Sequence, residues 1–152
     1  MGEKGKQASL EGSGLRIGVV AARYNQDVTE RLLKGALKTL EKHGATADPV
    51  VWVPGSIELP IAAQAMADSG RVDAIVALGC VIKGETAHFD FVAEACARGL
   101  MDVALESGVP CAFGVLTTYD KEQAAARGDK GEEAAATAIE MANLLKTLRT
   151  PS

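Results

Sequence analysis

At 152 residues with 47% apolar side chains, the chain has the length and hydrophobic content of one domain around one sizeable core. A formal net charge of -4 and an isoelectric point near 5.2 argue against general affinity for nucleic acid or an anionic membrane, since both depend on clustered Lys and Arg; any bound anion must be met locally. No apolar run approaches the roughly 18 residues of a membrane span, so a soluble, cytoplasmic protein is expected.

Residues 1–14, MGEKGKQASLEGSG, are polar and Gly-rich and are expected to be a flexible N-terminal segment. They lack the apolar core of a secretory signal, and Lys6 breaks the myristoylation pattern. Residues 15–149 read as a single domain.

Four short runs rich in Val, Ile and Ala follow: LRIGVVAA (15–22), PVVWVP (49–54), VDAIVALGCVI (72–82) and VPCAFGVLTT (109–118). None shows polar alternation, which suits strands buried on both faces of a parallel sheet. Between them the apolar spacing is helical. Val28, Leu32, Leu33, Ala36, Leu37 and Leu40 form a first stripe closed by His43-Gly44. Ile61, Ala65 and Met66 begin a second, and Val92, Ala95, Cys96, Gly99, Leu100 and Val103 a third. Ala134, Ala138, Met141, Leu145 and Leu148 form a fourth. Alternating strands and helices with right-handed crossovers give a three-layer α/β/α sandwich with a four-stranded parallel sheet, flavodoxin-like. Ligands of such sheets bind beyond the carboxyl ends of the strands, so the residues after each run carry the functional signal.

After the first run, Arg23, Tyr24 and Asn25 occupy the turn, with an Asp or Thr available to cap the helix. Tyr24 either closes the sheet edge or offers a ring for a planar ligand, and the residue alone does not decide between them. After the second run, Gly55 permits a tight turn and Pro60 falls in the first helical turn. Glu58 is the kind of acidic residue that ordinarily favours a helix N-terminus, or else it accepts hydrogen bonds from a polyol. After the third run, Gly84 allows close backbone approach, and Thr86 with the first helical N–H groups forms a start that binds phosphate without a basic patch. His88, one of two histidines, falls in the first turn, where the positive helix end favours the neutral imidazole that accepts a proton. A lone histidine is usually structural; one beside a candidate anion site at the ligand-binding edge is a candidate base. After the fourth run, Thr117 and Thr118 end the strand, and Arg127 is either a solvated helix charge, the commoner case, or a planar fork for phosphate.

The three cysteines, Cys80, Cys96 and Cys111, have neither Cys-x-x-Cys nor metal-ligand spacing and read as buried, reduced thiols. There is no phosphate-binding Gly-x-x-x-x-Gly-Lys loop, no dinucleotide fingerprint after the first strand and no Gly-x-Ser-x-Gly elbow.

The segments RYNQDVTERLLKGAL, VPGSIELPIAA, DAIVALGCVIKGETAHFDFV, GVPCAFGVLTT, KEQAAAR and KGEEAAATAIEMANLL, in this order over residues 10–149, closely resemble the lumazine synthase family. The Gly-Glu-Thr-x-His and Pro-Gly-x-x-Glu segments are the specific part of the match. The resemblance implies condensation of 5-amino-6-(D-ribitylamino)uracil with L-3,4-dihydroxy-2-butanone 4-phosphate in riboflavin biosynthesis, with neither metal nor organic cofactor. By motif position it implies that Tyr24 stacks on the pyrimidine, that Asn25 is a further substrate-binding residue, and that Ser56, Ile57 and Glu58 contact the ribityl chain and ring. Cys80, Val81 and Ile82 would meet the pyrimidine through backbone groups; Gly84, Glu85, Thr86 and Arg127 would hold the phosphate; His88 would transfer protons. It further implies a homopentamer, which in some members builds an icosahedral shell of sixty subunits, with Phe113 supplied by the adjacent subunit and residues 8–14 adding a strand to a neighbour.

The sequence departs from the family at three places. Tyr24 stands where Phe or Trp is usual, Ile57 where an aromatic or small residue is common, and only GDKG (128–131) remains of a longer Gly-rich loop ending in Asn-Lys-Gly. The shortened loop admits two further hypotheses beside the enzyme: a catalytically weakened, natural or engineered scaffold of the same fold, and a passive lumazine- or flavin-binding module.

Overall fold

The apolar runs become the parallel strands β1 (Arg16–Ala22), β2 (Thr46–Val53), β3 (Ala74–Ile82) and β4 (Cys111–Thr118), arranged in the order β2-β1-β3-β4. This is a computed structural model describing residues 5–84 and 87–151. Among the described residues five helices connect and cover the strands: α1 (Gln26–Lys42), α2 (Leu59–Asp68), α3 (His88–Ser107), α4 (Lys121–Ala126) and α5 (Lys130–Arg149), with one 3-10 turn at Ser56–Glu58. The three-layer α/β/α sandwich expected from the alternation is thus present.

The absence of polar alternation has a simple cause. Ile17, Val19 and Ala21 of β1 join a core beneath α1 and α5, whereas Val20 and Ala22 join a second core beneath α2 and α3. Apart from the exposed Arg16 at the start of β1, both faces of β1 and β3 are buried, so the positions that follow carry no charged or strongly polar side chain.

The edge strand β2 departs from that expectation. It begins three residues ahead of the apolar run, at Thr46, and its residues alternate between exposed and half-buried up to Trp52. Asp48 precedes the apolar run and Pro49 opens it, and both lie within the strand, where the β1–β2 register shifts between Ile17 and Val19. An edge strand tolerates a proline because its outward side needs no ladder donor. The 3-10 turn and the short α4 are also additions to the four helices read from periodicity.

Close helix packing depends on glycine at one position in particular. A Cβ on Gly131, at the start of α5, would run into the carbonyl of Leu32 on α1. Ahead of β1, the chain lies along α5, with Asn143 Nδ2 donating to the carbonyls of Ser9 (2.8 Å) and Glu11 (3.0 Å). Among the described residues no helix is long and apolar enough to cross a membrane.

Candidate active site

The connections from β1 and β3 leave the sheet on opposite faces, because α1 covers one side and α3 the other. Their carboxyl ends therefore flank the crevice where the strand order reverses. A cavity of about 560 Å³ opens there. Tyr24 and Asn25 line it from the turn after β1, and Gly55, Ser56 and Ile57 from the turn after β2. Cys80, Val81, Ile82 and Gly84 close β3, and His88, Phe89 and Val92 stand on the first turns of α3.

The turn after β1 is braced on both sides. Arg23 N–H donates to Val53 O (2.8 Å) and Tyr24 N–H to Pro54 O (3.1 Å), while Asn25 Nδ2 donates to Cys80 O (2.9 Å). Asn25, rather than an Asp or Thr, is the N-cap residue of α1. Tyr24 is 74% exposed. An aromatic closing a sheet edge would bury its ring, and Tyr24 does not.

After β2, Ser56 is buried against β3, and a Cβ on Gly79 would come within 2.5 Å of its Oγ. Gly79 is thus required for the hydroxyl to sit there. Glu58 Oε1 accepts the Gly55 N–H at 2.9 Å, so this carboxylate holds its own turn in the way of an acidic residue at a helix start. It does not line the cavity. Pro60 stands in the first turn of α2, as its missing N–H favours.

Burial pushes the Cys80 thiol up to about 11, with the charge of Asp27 adding to the shift. At neutral pH it is a protonated thiol without nucleophilic character. Cys96 and Cys111 are also free, their thiols pushed up to about 12 and about 11 by burial. Among the described residues no group of three or more His, Cys, Asp or Glu side chains is placed to hold a metal ion.

The family model for 6,7-dimethyl-8-ribityllumazine synthase matches residues 14–146, nearly the whole domain and every residue lining this cavity. The chain belongs to the lumazine synthase family. Membership gives it a lumazine-synthase-type role, that of a transferase in riboflavin biosynthesis acting on small molecules.

Within this lumazine synthase domain, nine of the sequence-designated residues meet at the cavity: Tyr24, Asn25, Ser56, Ile57, Cys80, Val81, Ile82, Gly84 and His88. Three do not. Glu58 is turned to Gly55; Phe113 is half-buried on β4 against the core beneath α2 and α3; Arg127 is an exposed residue at the end of α4. The GDKG segment is a tight connection in which Lys130 N–H donates to Arg127 O (3.1 Å) and α5 begins at once. Glu85 and Thr86 lie outside the described residues. Phe89, Val92 and Gly55 line the site without having been designated. The signal for the first two was present, since positions 88, 89 and 92 share one helical face, but the apolar stripe read from Val92 onward marked that face as core.

Proposed function

We propose that this protein is a 6,7-dimethyl-8-ribityllumazine synthase, condensing 5-amino-6-(D-ribitylamino)uracil with L-3,4-dihydroxy-2-butanone 4-phosphate and releasing phosphate and water. The observation that carries this reading is the convergence of an open aromatic ring, the ends of three strands and His88 on one cavity at the switch point. Tyr24 stacks on the pyrimidine, backbone groups of Cys80, Val81 and Ile82 meet its edge, and Ser56 and Ile57 border the ribityl chain, with Glu58 holding their turn through the Gly55 N–H. Gly84 and the start of α3, with Glu85 and Thr86, seat the phosphate, and Arg127 is its charged partner.

The chemistry suits these parts. Imine formation between an amine and a ketone requires a proton to leave nitrogen and another to reach the departing oxygen, and His88, on the cavity wall, is the residue that shuttles both in this reading. Elimination requires a held phosphate leaving group, and ring closure requires the two partners to be aligned. Positioning supplies much of the acceleration, with no step that needs a metal or an organic cofactor.

The functional unit we propose is a cytoplasmic homopentamer. The position of Phe113 on an edge strand, away from its own chain's cavity, supports its contributing to the site of an adjacent subunit. One observation favours the scaffold alternative: Arg127 is exposed and outside the cavity of the single chain, beside a connection too short to carry it far.

Mixing the purified protein with both substrates and following fluorescence of the product decides between them. The enzyme forms lumazine above the uncatalysed rate, and Arg127→Ala raises the KM of the phosphate substrate roughly tenfold or more, the loss of one charge-assisted contact. A folded oligomer that gives only the uncatalysed rate is the scaffold.

A further inference from the structure

Asn25 is the one non-glycine residue with positive φ among the described residues, at φ 62 and ψ 48. It is also the N-cap of α1, a position at which Asn ordinarily adopts extended backbone and turns its side chain to a free N–H of the first turn. Here the side chain makes no such bond. Its Nδ2 instead reaches across the sheet to Cys80 O at 2.9 Å. The residue best suited to cap the helix is thus held in a sparsely populated conformation and spent on a contact 55 positions away.

The location of that contact shows what it can do. Pairing of β1 with β2 runs to Ala22↔Val53 and is continued by the Arg23 and Tyr24 N–H groups. Pairing of β1 with β3 stops at Ala21↔Leu78, and the next tie across the crevice is the Asn25 amide. Tyr24 has little packing of its own, so its ring goes where its backbone goes. On the other wall, Cys80 O opens the segment 80–82 that lines the cavity.

We propose that Asn25 is a positioning residue that sets the slot between the Tyr24 ring and the backbone of residues 80–82, and so sets affinity for a flat heterocycle. This rests on the lumazine-site reading given above. It assigns Asn25 a role exercised through Tyr24 rather than through its own contact with the ligand.

A double-mutant cycle tests it, with 6,7-dimethyl-8-ribityllumazine as the fluorescent probe and Kd as the readout. Asn25→Asp tolerates the left-handed backbone but sets an acceptor against the Cys80 carbonyl; Asn25→Gly keeps the backbone freedom and removes the amide. Each is expected to raise Kd roughly tenfold when Tyr24 is present, the scale of one hydrogen bond, and less than about twofold in a Tyr24→Ala background. The KM of the phosphate substrate should stay unchanged. An equal rise in both backgrounds would mean direct contact with the ligand and would overturn the proposal, as would a parent-like Kd for Asn25→Asp. A rise confined to variants that also lose thermal stability, with both substrates affected alike, would overturn it in favour of a purely structural role. A parent that binds lumazine without making it would sink the enzyme reading while this cycle remains decisive, and a parent that does neither would overturn both.

Discussion

The two ends of the β-sheet are built from the same strands and differ in what their polar groups face. At the carboxyl end, the turns after β1, β2 and β3 hold a cavity with an exposed ring and an imidazole on its wall. At the amino end there is a second cavity, about 430 Å³, lined by Val72, Asp73 and Val109 and by the last turns of α5. It carries more charge, yet the charge is already committed. Arg149 Nη2 donates to Gly108 O (2.9 Å), the carbonyl that ends α3, and Lys146 lies 3.9 Å from Asp73. Asp73 in turn accepts the Arg16 N–H at 2.8 Å. Cations at helix carboxyl ends offset the negative end of the dipole, so this basic cluster is accounted for by the fold itself. A cluster of charge is therefore a poorer guide to function here than an aromatic ring left without packing.

The largest effect that would break this contrast comes from His88. His88→Ala should lower turnover by roughly 10²–10⁴-fold, the usual contribution of one acid/base group, while thermal unfolding stays close to the parent's because the side chain is exposed. Steady-state kinetics beside a melting curve measures both. Unchanged turnover would leave the carboxyl-end cavity as a binding site without proton transfer. At the other end, Arg149→Ala should do the reverse. Losing the bond to Gly108 O should cost about 0.5–1.5 kcal/mol of stability, a shift of a few degrees in Tm, with turnover unchanged. A loss of turnover instead would show that the amino end takes part in function.

Much of this was legible in the sequence. The strand runs, the order of elements and the switch-point edge follow from periodicity, because β1 and β3 are buried on both faces and cannot hide their pattern. β2 was read short because an edge strand admits exposed polar residues such as Thr46 and Asp48, which an apolar run does not include. At the site, His88 was a candidate by its place at the ligand-binding edge, and Tyr24 by its place with both readings open; both line the cavity. The type of Asn25 suggests a cap, and only the geometry shows the side chain turned to β3. Arg127 and Phe113 have the right types but stand outside the cavity of one chain. Residue type and place after a strand do not encode how far a side chain lies from the cavity.

The smallest expected effect concerns Cys80, which sits on the cavity wall yet should be chemically silent. Burial raises its pKa from 9.0 to about 11 by disfavouring the thiolate. At pH 8 the folded protein should hold roughly a hundredfold less Cys80 thiolate than the unfolded chain, so alkylation by iodoacetamide should be slow until the protein unfolds. The sign for stability follows from the same shift. The neutral thiol is favoured in the folded state, so its contribution is complete below pH 9 and is lost as pH rises towards 11. Because the carbonyl of Cys80 holds Asn25, Cys80→Ala should retain both that bond and the turnover of the parent. Rapid alkylation of the folded protein, or loss of activity in Cys80→Ala, would mean that the thiol faces the chemistry and that the two walls of the cavity are less alike in their reliance on backbone groups than the hydrogen bonds across it indicate.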